Sequence, residues 1–146
     1  MNKKLIIYSV IFFLLCLLDL STSSITHIYL SIGFLSFILV RLVFPYIIYF
    51  AFISGFIIDL VFYNYVGIFL IIVILISLIV YTLKTLYAIK PIFLQFLVLV
   101  CFFAFAYLLG KNFTTSIRNL ITTIPLAFVW YFIKIPIGPL KNEREQ

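Results

Sequence analysis

The sequence predicts an all-α integral membrane protein, with about six transmembrane helices, short loops and both termini in the cytoplasm. Three observations lead there. Of 146 residues, 66% are hydrophobic and 10% are charged, and the mean hydropathy is +1.35. A soluble domain of this length carries far more polar surface. The apolar residues also come in long runs without charge, at residues 5–18, 67–83 and 91–110. Runs near this length read as membrane spans. Finally, the charges lie between the runs and are unequally shared between the two sides.

The elements follow in order. The first span is residues 5–20, behind Lys3 and Lys4. A basic start before an apolar core also fits a cleaved signal, but no Ala-x-Ala-like site follows, so this helix is expected to be retained. The second span is residues 25–40, closed by Arg41. It is the shortest, reaching only about 24 Å at the helical rise. The third is residues 43–63, beginning near Pro45, where the missing N–H of proline would be unpaired anyway. The fourth is residues 65–83, closed by Lys84. The fifth is residues 91–109, again with proline at its start, and the sixth is residues 117–133, closed by Lys134. Together they form one polytopic membrane domain, residues 1–140, with a polar tail at 141–146.

An even number of spans puts both termini on one side. Lys3, Lys4, Arg41, Lys84, Lys90, Lys134, Lys141 and Arg144 then share that side, against Lys111 and Arg118 on the other. The positive-inside rule makes the first side cytoplasmic, and a multi-pass membrane location is expected. The net charge of +6 is accounted for by this topology. It forms no basic patch interleaved with aromatics, so lipid is the expected partner and nucleic acid is not.

Catalytic constellations are missing from the sequence. The chain has a single histidine, His27, and four acids: Asp19, Asp59, Glu143 and Glu145. No His/Cys/Asp cluster has metal-ligand spacing, and no Gly-rich loop opens a helix in the way that cradles phosphate. Cys16 and Cys101 lie within apolar runs and read as small buried hydrophobes. No catalytic, cofactor or metal residue is expected, and the chain is expected not to be an enzyme.

One stretch stands apart, "AFISGFIIDLVFYNYVGIF" at residues 51–69. Ala51, Gly55 and Asp59 recur at every fourth residue and so share one helical face. Ala-xxx-Gly is a small-xxx-small pattern that lets a second helix approach closely. Asp59 needs polar company on that face. Backbone N–H groups or hydroxyls at a neighbouring helix end could supply it, and Asp19, Lys111 and Arg118 are the candidate polar groups of the outer side. Simple snorkelling of Asp59 to the interface stays open as the plainer account. Asn64 suits the turn that follows, and Gly67 opens the next helix, where it would permit close packing beside Asp59.

Pro45, then "FISGFIIDL", then Gly67 opening an apolar helix, resembles the MreD family of bacterial rod-shape-determining membrane proteins. The matching positions are Phe52, Gly55, Asp59 and Gly67. The chain departs from the family in lacking a proline in its first span and in carrying Ile58 before the aspartate. The resemblance implies a non-catalytic scaffold or regulator of the elongation machinery that inserts peptidoglycan. The implied partner is an MreC-like periplasmic membrane protein, with RodA and its penicillin-binding protein as further candidates. The rival is the small-molecule (vitamin-type) substrate-binding membrane subunit of an uptake transporter. Such subunits usually carry an Ala-xxx-Ala surface on the first span, which here has no alanine.

Overall fold

A computed structural model describes residues 3–26, 29–63, 67–87, 89–108 and 113–132. His27, Asn64, Lys111, Lys134 and the tail at 141–146 lie outside the described residues. Among those described, the fold is wholly helical and holds six α-helices: α1 (Lys3–Thr26), α2 (Leu30–Arg41), α3 (Tyr46–Ile58), α4 (Ile68–Tyr87), α5 (Pro91–Leu108) and α6 (Phe113–Phe132). The last turn of the third helix widens into a π segment, Asp59–Tyr63. Two stretches are long and apolar enough to cross a membrane, Leu5–Thr22 and Ile68–Tyr87, while the other four helices are apolar but shorter.

Several boundaries differ from the hydropathy reading: α4 runs on through Lys84, expected to close it, to Tyr87, and the shift between the first two helices has a physical reason. The polar run Ser21–Ser24 was expected to end the first span, with Ile25 opening the second. Instead α1 continues through Thr26. The Ser21 and Thr22 hydroxyls donate to the carbonyl of Leu18 at 2.7 and 2.9 Å, so these side chains are satisfied within the helix and do not interrupt it. The second helix is correspondingly shorter, 12 residues, or about 18 Å of rise. The sixth helix starts at Phe113 rather than at residue 117, and it carries Pro125 within it.

The short α2 sits at the centre. It packs against each of the other five helices, and every residue from Ser31 to Val40 is buried. Around it, α1 packs on α3, α3 on α4, α4 on α5 and α5 on α6. The core is mostly aliphatic, with aromatic pairs set into it: Phe12 meets Phe50 edge-on at 6.0 Å between centroids, and Phe34 meets Trp130 at 5.0 Å. Such offset and T-shaped pairs add to what their buried area alone contributes. The outward faces are equally apolar. On α1, Ile7, Val10, Leu14, Leu18 and Leu20 are all about half exposed.

Candidate functional site

Asp59 is fully buried. It stands where α3 gives way to the π segment, and its carboxylate reaches across to the start of α4. The main-chain N–H groups of Gly67, Phe69 and Leu70 donate to it at 2.8, 2.9 and 3.1 Å. The first N–H groups of any α-helix have no partner within the helix. They also carry the positive end of its dipole, so an anion placed there is stabilised twice over. Asp59 thus caps a helix that lies beyond the next turn of the chain. π segments are uncommon and cluster at functional positions; this one begins at the residue that makes the cap.

The other members of the 51–69 stretch serve the same junction. Ala51, Ser54 and Gly55 are buried. A Cβ added at Gly55 would lie 2.5 Å from the Cα of Leu70, which is main chain and can yield only if α4 moves. The close approach at Gly55 therefore brings the Leu70 N–H within reach of Asp59. Gly67 works differently from the packing role expected of it. A Cβ there would meet nothing within 4 Å, but its φ is +117°, a region that side chains rarely enter. Gly67 takes up this backbone conformation and directs its own N–H to Asp59.

The amides of Gly67, Phe69 and Leu70, at the neighbouring helix end, are the carboxylate's hydrogen-bond donors among the described residues. Arg118 is exposed on α6, and Lys111 is outside the described residues. Asp19 is no partner of Asp59 either; it repeats its function in the preceding hairpin. Asp19 is fully buried near the end of α1 and accepts from the N–H groups of Leu30 and Ser31 at 2.9 and 2.8 Å, and from the Ser31 hydroxyl. These are the first residues of α2. Two successive helical hairpins are thus closed by the same device: an acid late in the ascending helix, bonded to the opening amides of the descending one.

Two features escaped the sequence reading. Lys84, expected only to mark the end of a span, reaches from α4 to the far end of α2. Its ammonium group donates to the carbonyls of Val40 and Leu42 at 3.0 and 3.3 Å. The central helix is thereby held between an acid at its N-terminus and a base at its C-terminus, the signs its dipole favours. Gly33 is the second: a Cβ there would touch the Cα of Ala127 at 3.4 Å, so α2 and α6 also meet through small residues. Beside that contact, Gln95 of α5 donates to the Ala127 carbonyl at 2.7 Å. A lysine closing a long uncharged run was a visible signal; which helix it would reach was not.

Among the described residues no group of three or more His, Cys, Asp or Glu is placed to hold a metal ion. No family model, curated protein or solved structure matches this chain.

Proposed function

We propose that the chain is a multi-pass protein of the bacterial inner membrane, with six spans and cytoplasmic termini. In this reading it is a non-catalytic, MreD-like scaffold of the cell-elongation machinery, acting with an MreC-like partner. The observation that carries the reading is the Gly55–Asp59–Gly67 junction. Three of the four positions on which the family resemblance rests, Gly55, Asp59 and Gly67, weld α3 to α4 through a close main-chain approach and a buried carboxylate, while Phe52 is exposed. A scaffold needs a rigid shape and no chemistry, and this junction supplies rigidity at one end of the bundle. Membrane insertion is supported by the long exposed apolar faces, above all on α1, which water-soluble monomers rarely display.

Depletion in a rod-shaped host tests the role. The expected result is widening and rounding of the cells, with an MreC-like protein co-purifying with the tagged chain. Normal cell width on depletion, or no such partner in the purified complex, refutes it. A reporter fused to the C-terminus tests the topology, and an external reporter overturns the six-span arrangement.

The transporter-subunit reading has one observation in its favour. Asn119 on α6 is 8% exposed, and its side-chain oxygen is buried without a hydrogen-bond partner among the described residues, as a residue awaiting a small ligand would be. Co-purification with a transporter ATPase would favour that reading over the scaffold.

A further inference from the structure

α6 carries Pro125 in its interior. Proline has no N–H, so the Ile121 carbonyl loses its donor within the helix, and the ring crowds that carbonyl. Sharp bends in helices fall at such residues. Asn119, Thr123, Ala127 and Trp130 recur at i, i+4, i+8 and i+11, so they share one face across the proline. That face lies along α2, and the contacts differ on the two sides of Pro125. Beyond it, Ala127 is fully buried, and a Cβ placed on Gly33 would fall 3.4 Å from its Cα. The buried Gln95 side chain donates to the Ala127 carbonyl at 2.7 Å, and Trp130 meets Phe34 edge-on at 5.0 Å. Before the proline, Leu120 and Ile124 are only partly buried. There the Tyr29 N–H reaches the Thr123 hydroxyl at 3.4 Å, long for such a bond. One turn further, the Asn119 side-chain oxygen is buried without a partner among the described residues. An acceptor sealed in this way forfeits the hydrogen bonds it would make with water. The Trp130 indole N–H is also unpaired, but it lies on the clamped side.

We propose that the N-terminal half of α6, residues 113–124, swings away from α2 about Pro125, while the half beyond the proline stays in place. The missing helical hydrogen bond sets the pivot. The Gln95 clamp, two residues past it, decides which half moves. The buried Asn119 oxygen favours the open state, because there it gains water. Asn119 lies about 9 Å of rise from the start of α6 at Phe113, so water at that helix end reaches it once the helix tilts. Opening gives up the long Tyr29–Thr123 bond and uncovers the Thr123 hydroxyl and the approach to α2. The hinge rests on the packing of α6 and not on the scaffold role.

The test is hydrogen–deuterium exchange, read by mass spectrometry, on the full-length protein in lipid nanodiscs. Amides 118–124 are expected to exchange about tenfold faster than amides 127–131, through local opening. Pro125→Ala, which returns the N–H and a continuous helix, is expected to slow 118–124 by about tenfold or more. Asn119→Leu removes the buried acceptor at similar volume and is expected to slow them about tenfold; simple fraying of the helix end is indifferent to that side chain. Trp130 is the single tryptophan of the chain, so its emission reports on the clamped half and is expected to stay unchanged in both variants. Equal exchange of the two halves in the wild-type protein overturns the hinge. So does fast exchange at 118–124 that persists in either variant. Slowing that extends equally to 127–131, or a shift in Trp130 emission, marks a change in the whole bundle and overturns it as well.

Discussion

Gly55→Ala adds one methyl group, and the geometry says where its cost arises. The new Cβ would stand 2.5 Å from the Leu70 Cα, 3.2 Å from its N and 3.3 Å from its Cβ. Carbon atoms in good contact sit about 3.5 to 4.0 Å apart, so α4 must retreat by about 1 Å at this level. The Leu70 N–H, now 3.1 Å from Asp59, would then pass beyond hydrogen-bond range, which ends near ~3.2 to 3.5 Å. Overpacking alone costs about 1 to 3 kcal/mol, and losing a hydrogen bond to a charged group costs about 1.5 to 3 kcal/mol. Their sum is roughly 2.5 to 6 kcal/mol. The assay is reversible unfolding in mixed micelles, followed by circular dichroism, for wild type, Gly55→Ala, Asp59→Asn and the double variant. Because both substitutions act on one junction, their effects should fall short of additivity by about 1 kcal/mol or more. A Gly55→Ala protein within about 0.5 kcal/mol of wild type, or strict additivity with Asp59→Asn, refutes the claim that close packing holds the cap in place.

Gly67→Ala should destabilise by about 1 to 2 kcal/mol in the same assay, from backbone strain alone since the added methyl meets open space; no loss would mean that the positive φ is dispensable. Asp59→Asn and Asp19→Asn should each cost about 2 to 4 kcal/mol, because each removes a buried charge that accepts three hydrogen bonds. Hydrogen exchange should then speed up at the first turn of α4 and α2 respectively, and unchanged protection there would contradict the capping assignment. Lys84→Met keeps the stem and removes the ammonium group, leaving the Val40 and Leu42 carbonyls to lose their donor. A cost of about 1 to 3 kcal/mol is expected, with faster exchange at the end of α2 rather than in α4, where the residue resides.

The order of helices along the chain was legible in the sequence, because long apolar runs and the prolines and lysines that bound them are local features. The shared face of Ala51, Gly55 and Asp59 was legible too, since helical spacing is a property of the chain itself. Amides at a neighbouring helix end were among the partners considered for Asp59; that they belong to Gly67, Phe69 and Leu70 follows from how α3 and α4 lie together. Hydropathy could not distinguish α2 from the helices around it. An apolar side chain facing lipid and one facing another helix are written in the same residues, so a central 12-residue helix looks like a weak span. The pairing of Asp19 with Ser31 and of Lys84 with Val40 joins residues 12 and 44 positions apart. Hydrogen bonds of that kind depend on which helix ends meet in space, and only the packing of the whole bundle decides it. Composition and periodicity determined that this chain is helical and where its small, close-packing face lies. The tertiary structure decided that its two apolar-region acids and one of its lysines are helix caps, because a buried helix terminus must find its partners wherever the fold has put them.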